Sequence, residues 1–258
     1  MESPQQATLF FFAPVAVAYL AACVGWLAYE RAWPRGWPPP TESESNRPWL
    51  DLALCVAACA GILAIGQVYR AGWLLPTGDS WQGRLGWTVD NLIIYSPLAL
   101  MLLTRRQSAE TMYLSAAALP QKIVLGLLLG LLAVACYLTV RGEQQQFGEV
   151  LSQALAASSL VNFLPVFLEG VALAYGFVRL RWAIGTTAAV LVPGLIFALA
   201  HVPRQIAGER TLAEMAAFFA FNAALVPAIL YTVHRSRDVI WIGIVHYLMD
   251  IAIRAFDA

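Results

Sequence analysis

Long apolar runs separated by short polar connections fill almost the whole chain of 258 residues. Because a helix satisfies its own backbone hydrogen bonds, an apolar run of about 20 residues predicts a helix that spans a bilayer. The pattern predicts an all-α, polytopic transmembrane helix bundle of about eight helices. Their predicted ranges are 8–29, 49–69, 89–103, 121–140, 158–178, 182–202, 213–233 and 239–256.

The polar connections are too short for a second, soluble domain. Turn residues occupy 30–48 and 70–88, and 142–158 predicts an amphipathic helix at the membrane interface. Within the fourth predicted helix, the sequence GLLLG at 126–130 places two glycines one helical turn apart. Such small residues let neighbouring helices approach closely. We therefore expect a single membrane domain with a tight contact at this helix.

The composition agrees with a membrane protein. Hydrophobic residues make up 60% of the chain and charged residues 12%, whereas a soluble domain is about 25% charged. Sixteen Lys and Arg balance sixteen Asp and Glu, so no basic excess points to nucleic acid as a partner. Lys122 is the single lysine, and this preference for arginine favours a GC-rich bacterial genome. The expected partner is thus the lipid bilayer, and the expected location is the bacterial inner (plasma) membrane.

Four ionisable side chains interrupt the apolar helices in the C-terminal part of the chain. Glu169 lies within the fifth predicted helix, and His201 lies at the end of the sixth. His246 and Asp250 lie four residues apart, and so on one face of the eighth helix. A charge at membrane depth costs about 3 kcal/mol, so such residues indicate a functional site. Asp250 alone has a simpler explanation, which is an ion pair with Arg254 one turn further on.

Two chemistries suit a carboxylate and two imidazoles that meet in a membrane. Glu169 can act as a general base towards water, with His201 and His246 as proton donors or oxyanion stabilisers. Alternatively, Glu169, His201 and His246 can bind a divalent metal such as zinc and leave one position open for water. The spacing of the residues does not separate these mechanisms. A proton-coupled transporter is a third and less favoured function, since such proteins carry inverted repeats that this sequence lacks.

The residues around the two histidines resemble a known family. The sequence FALAH at 197–201 resembles the FxxxH motif, and HYLMD at 246–250 resembles the HxxxN/D motif, of the CPBP intramembrane proteases. That family includes CaaX prenyl endopeptidases and bacteriocin-processing enzymes. The resemblance implies that 158–258 is a CPBP-like catalytic core. Residues 1–157 match only as N-terminal transmembrane helices of the same membrane domain.

By this resemblance the protein would be an endopeptidase that cleaves a membrane-associated or membrane-anchored protein, with no cofactor required. Glu169 would activate water, and His201 and His246 would stabilise the oxyanion or protonate the leaving amine. Asp250 would orient His246 or help to bind the oxyanion.

The first motif of the family, a Glu-Glu pair followed shortly by Arg, is incomplete in this chain. Glu169 is followed by Gly170, and Leu173 or Ala174 stands where the arginine is expected. Arg179 lies too far along the helix to be assumed as its substitute. Two interpretations follow: a divergent protease, or a catalytically inactive relative that serves as a membrane scaffold or immunity protein.

The distribution of positive charge favours one orientation in the membrane. Most Lys and Arg lie in the loops after the first, third, fifth and seventh predicted helices, which places those loops inside and both termini outside. A site near His201 would then open outward. Such an opening suits the transmembrane tail of an exported protein better than a cytosolic substrate.

Overall fold

The computed structural model describes residues 4–33, 45–75, 81–207 and 211–257. These ranges fold into helices without strands, and eight of the helices have 18 or more residues. The all-α bundle of about eight helices is therefore confirmed. The long helices are α1 (Pro4–Ala32), α2 (Pro48–Arg70), α3 (Trp81–Arg105), α4 (Leu119–Arg141), α7 (Phe163–Ile184), α8 (Thr186–Ala207), α9 (Leu212–Ser236) and α10 (Ile240–Asp257).

Two short helices occupy the connection between α4 and α7. They are α5 (Phe147–Leu155) and α6 (Ala157–Leu160). Val150 and Ala154 of α5 are buried, while Glu149 on another face is exposed. The amphipathic helix that the sequence predicts at 142–158 is thus present.

Six helical segments of the described chain are long and apolar enough to cross a membrane. Large side chains such as Leu103 and Leu128 face outward with 75% and 60% of their surface exposed, as contact with lipid requires. The protein is therefore an integral membrane protein. The six segments are Phe12–Ala32, Pro48–Arg70, Gln82–Arg105, Leu119–Arg141, Ala157–Ile184 and Leu212–Ser236.

Two predicted helix boundaries are wrong by several residues. The third helix begins at Trp81, not at residue 89, because it continues through a polar turn that a search for apolar runs leaves out. The fifth and sixth predicted helices meet at Gly185, several residues after the predicted boundary. Gly185 has a φ of 83° and ends α7 in a backbone region that favours glycine.

Glycines allow α10 to pack closely between two neighbours. A Cβ atom on Gly126 of α4 would lie 3.0 Å from the backbone of Trp241. On the other side, a Cβ atom on Gly243 of α10 would lie 2.5 Å from the ring of Phe167 in α7. The close approach predicted for GLLLG is confirmed at the contact between α4 and α10.

A buried ion pair fixes the start of α10. Asp238 accepts hydrogen bonds from the backbone N–H groups of Ile240 and Trp241, at 2.8 and 3.4 Å, and so caps the helix. The carboxylate also pairs with the ammonium of Lys122 in α4, which in turn donates to the carbonyl oxygen of Ser115. These contacts tie the first turn of α10 to α4, and α10 carries His246.

Candidate functional site

His246 lies against a tyrosine from the N-terminal helix. The rings of Tyr19 and His246 meet edge to face, with centroids 6.2 Å apart and an interplanar angle of 69°. Tyr19 is 8% exposed, and His246 is half-buried. A second contact between α1 and α10 lies seven residues along α1 and five residues back along α10, where Trp26 stacks on Trp241 at 6.0 Å. The site is therefore shared between the two ends of the chain.

Glu169 belongs to α7, which packs against α10. Phe163 of α7 meets the ring of Tyr247 with centroids 5.5 Å apart, and Phe167 lies beside Gly243. Within the described ranges, no protein group forms a hydrogen bond or ion pair with the half-buried Glu169. Its carboxylate oxygens are thus available to water, as a general base requires.

Asp250 takes part in the ion pair that its spacing predicts. Its Oδ2 atom lies 2.9 Å from Nη2 of Arg254, whose side chain is 57% exposed. The ion pair of Asp250 with Arg254 that the helical spacing predicts is therefore confirmed. The same carboxylate lies one helical turn from His246 on α10.

His201 lies in a separate aromatic environment. Its Nδ1 atom is 2.9 Å from the carbonyl oxygen of Phe197, and its ring lies 4.4 Å from the ring of Phe197 and 5.7 Å from that of Phe218. A carbonyl only accepts, so Nδ1 carries the donated proton and a neutral His201 presents Nε2 as an acceptor. In the part of the chain that the structure describes, no hydrogen bond or ring contact joins His201 to Tyr19 or His246.

Glu169 and His201 lie on consecutive helices. Only Gly185 separates α7 from α8, and the two helices contact each other. Glu169 lies sixteen residues before this glycine and His201 sixteen residues after it, which is about 24 Å along each helix. The structure thus sets His246 against Tyr19, with Asp250 one turn further along α10, and it carries Glu169 and His201 on the consecutive helices α7 and α8.

Arg179 does not replace the missing arginine of the first motif. Its guanidinium donates to the carbonyl and hydroxyl oxygens of Thr111 and to Gln107, and it lies 3.9 Å from the centre of the Tyr175 ring. Those contacts hold the connection between α3 and α4 against α7. By contrast, the space beside Gly170 is open, since a Cβ atom there would meet no atom within 4 Å.

The predicted metal ligands do not form a cluster. Among the residues described, no three His, Cys, Asp or Glu side chains come close enough together to hold a metal ion. Glu169, His201 and His246 therefore do not make a three-ligand centre in this arrangement. The choice between water activation by glutamate and by a metal stays a prediction.

An apolar groove of about 600 Å³ lies on the other side of α10. Leucine, isoleucine and phenylalanine side chains of α4, α5, α7 and α10 line it, together with Tyr247, whose hydroxyl donates to the carbonyl oxygen of Ala154 at 2.6 Å. The α10 residues that line the groove, such as Ile244, face away from His246. The groove is therefore distinct from the polar site.

Comparison with known proteins adds no relative. No family model, no curated protein and no solved structure matches this chain.

Proposed function

We propose that the chain is an intramembrane endopeptidase of a bacterial plasma membrane, which hydrolyses a peptide bond in a membrane-anchored protein. The observation that carries this proposal is the contact of the His246 ring with Tyr19 inside the bundle, with Asp250 one turn along α10 and Glu169 on α7, a helix that packs against α10. Polar groups at membrane depth are costly and are best explained by a chemical task. The resemblance of FALAH and HYLMD to the CPBP histidine motifs supports the same reaction.

Glu169 is the general base of the proposed reaction. Its half-buried carboxylate, without a protein partner among the described residues, takes a proton as water adds to the carbonyl carbon of the substrate. The carbonyl oxygen becomes an oxyanion, to which the imidazole of His246 donates a hydrogen bond. The C–N bond then breaks, and the proton that Glu169 took from water passes through His246 or His201 to the leaving amine, which returns Glu169 to its carboxylate form.

His201 has the weaker structural support of the two histidines. It lies on α8, the helix that follows the one carrying Glu169, and its ring contacts the aromatic rings of Phe197 and Phe218. Because Nδ1 donates to a carbonyl, its Nε2 atom can donate only when the ring is protonated. His201 therefore suits proton transfer to the amine better than stabilisation of the oxyanion from the start.

A catalytically inactive membrane scaffold or immunity protein is the second candidate. The observation that favours it is the incomplete first motif, in which Gly170 leaves an open space and Arg179 is held elsewhere. An inactive protein would fold into the same bundle, and no cleavage product would depend on Glu169. The same experiment therefore separates the two candidates.

The test is a comparison of membrane proteins from bacteria that express the wild type, Glu169→Gln or neither. Mass spectrometry of new protein termini measures the cleavage, and immunoblotting of membranes measures the insertion of each variant. Glu149→Gln is the matched control, because Glu149 is an exposed glutamate of α5 far along the chain from the site.

We expect new termini that require Glu169 and persist in Glu149→Gln. Termini that persist in a normally inserted Glu169→Gln variant would refute the protease. An absence of any new termini with the wild type would favour the inactive scaffold.

A further inference from the structure

The apolar groove beside α10 follows one face of α4, a helix that is long and apolar enough to span the membrane. Four residues of α4 that are spaced one turn apart line it, namely Leu119, Ile123, Leu127 and Leu131. From Leu119 to Leu131 the helix rises about 18 Å. Leu119 is the first residue of α4, which continues to Arg141. The groove therefore runs from one end of a spanning helix to about its middle.

Helix α5 borders the groove near the middle of α4. The hydroxyl of Tyr247 in α10 donates to the carbonyl oxygen of Ala154 at 2.6 Å, and this bond ties α5 to α10. The next residue of α10, Leu248, lies beside α4, because its side chain is 2.5 Å from the position of a Cβ atom on Gly130. Leu155 of α5 lines the groove as well. The short helix α5 is thus part of the wall of this groove.

The chemistry of the lining selects a hydrocarbon. Every described side chain that lines the groove is apolar except that of Tyr247, and the Tyr247 hydroxyl is already bonded to Ala154. Large side chains of the lining are left open by the described chain, since Leu127 and Leu155 are 45% and 76% exposed. At membrane depth, the molecules that cover such a surface are the chains of lipids.

The dimensions of the groove fit one hydrocarbon chain and exclude a helix. A volume of about 600 Å³ spread over about 18 Å gives a mean cross-section of about 33 Å², whereas an α-helix of about 10 to 12 Å diameter needs about 80 to 110 Å². If a methylene group takes about the volume of a water molecule, ~30 Å³, the groove has room for about 20 of them. Half of a hydrocarbon core of about 30 Å is about 15 Å, so the groove is about as long as one leaflet is thick.

We propose that this groove holds one acyl chain of a membrane phospholipid. The headgroup lies at the first turn of α4, and the end of the chain reaches Leu131 and Leu248 near the centre of the bilayer. The lipid belongs to the leaflet in which α4 begins, which the distribution of positive charge predicts to be the inner one. The chain packs against α10 on the side that faces away from His246. This inference is independent of the proposed protease activity.

The test uses purified full-length protein in vesicles of phosphatidylethanolamine and phosphatidylglycerol. The probe is a phosphatidylglycerol with a photoreactive diazirine on one acyl chain, placed either at the end of the chain or next to the ester group. Mass spectrometry locates the labelled residues after illumination. Leu127→Trp fills the groove. Leu128→Trp is the matched control, because Leu128 is 60% exposed on α4 and is not among the lining residues.

We expect the probe with the diazirine at the chain end to label the groove around Leu248 and Leu155, and the other probe to label it around Leu119. Labelling of the groove should fall about fivefold or more in Leu127→Trp and stay within about twofold in Leu128→Trp, because only an indole ring inside the groove takes the contacts of the chain. Unchanged labelling of the groove in a folded Leu127→Trp would overturn the proposal and leave ordinary contact with the bilayer. The reverse order of the two probes would overturn the assignment of the leaflet.

Thermal unfolding of each variant shows whether a loss of labelling reflects a loss of folded protein. If Leu127→Trp does not fold, Leu155→Trp fills the groove from α5 and takes its place in the same comparison. Mass spectrometry of the lipids that remain with the purified wild type identifies the natural occupant. A retained phospholipid supports the proposal, and a retained isoprenoid lipid in its place would overturn the assignment to an acyl chain.

Discussion

Lys122 of α4 forms an ion pair with Asp238 at the start of α10, and the two side chains are only 1% and 0% exposed. Removing one member of such a pair leaves a buried charge without compensation, whereas removing both avoids that cost. Asp238 lies eight residues before His246 and caps the helix that carries it. The pair therefore controls the position of the site from a distance.

Lys122→Met should lower the free energy of unfolding by about 3 to 5 kcal/mol, because Asp238 then stays buried without its cation. The double variant Lys122→Met/Asp238→Asn should be more stable than Lys122→Met alone. Thermal unfolding in detergent measures both. The exposed pair of Arg235 and Glu30, with an N–O distance of 3.0 Å, is the control, and Arg235→Gln should cost at most about 1 kcal/mol. Equal losses at the two pairs would contradict the structural role of the buried one.

Asp250 lies one turn from both Arg254 and His246, and two substitutions show which of these neighbours it serves. Arg254→Gln breaks the ion pair at 2.9 Å but leaves the carboxylate beside His246. Asp250→Asn removes the charge that faces the site. If Asp250 orients His246, cleavage should fall about tenfold to a hundredfold in Asp250→Asn and stay near wild type in Arg254→Gln. Similar cleavage by both variants would leave Asp250 with the ion pair as its only role.

Six of the eight predicted spanning helices match candidate spans of the described chain, because hydropathy is a local property of each apolar run. The sixth and eighth predicted helices, which carry His201 and His246, are not among these spans. The ends of the helices were less predictable, since α3 begins at Trp81 and includes the polar residues Gln82 and Arg84 before its apolar part. Polar residues that continue a helix carry no signal in a pattern of apolar runs.

Tyr19 could not be predicted, because an aromatic residue in an apolar helix is most often a packing residue. Its importance arises from the contact of α1 with α10, two helices more than two hundred residues apart in the chain. Asp250 shows the reverse case, since its short-range partner Arg254 followed directly from the helical repeat. Contacts within a helix are encoded by spacing, whereas contacts between distant helices depend on the packing of the whole bundle.

The two glycines of GLLLG should differ in their sensitivity to substitution. At Gly126 the nearest backbone atoms of Trp241 lie 3.0 Å from the position of a Cβ atom, so α10 itself would have to move. At Gly130 the nearest atom, at 2.5 Å, is the end of the Leu248 side chain, which can rotate away. We expect Gly126→Ala to lower the unfolding temperature and the cleavage rate more than Gly130→Ala. Thermal unfolding measures stability, and cleavage of the host substrate by purified protein in lipid vesicles measures the rate. The opposite order would contradict the packing of α4 on α10.

Gly170 offers a direct test of the incomplete motif. The family that FALAH and HYLMD resemble carries a second glutamate at this position, and here the space beside Gly170 is open. Replacing a helical glycine stabilises a helix by about 0.5 to 1 kcal/mol, but a charge at membrane depth costs about 3 kcal/mol. Gly170→Glu should therefore fit sterically and lower the stability of α7 in the membrane, so immunoblotting of membranes must show that it is inserted. Gly243→Ala is the contrasting variant, because its methyl group would meet the Phe167 ring at 2.5 Å and destabilise the bundle.

The effect of Gly170→Glu on cleavage shows whether the proposed protease would gain activity from a second carboxylate or works fully with Glu169 alone. A second carboxylate beside Glu169 should raise the cleavage rate severalfold if it helps to hold the attacking water. Gly170→Gln is the matched control, since it has the same size and no charge. A rise in Gly170→Glu alone would mean that the site kept its geometry and lost one group. Equal or lower rates in both variants, with normal insertion, would mean that Glu169 does not need a second carboxylate at this position.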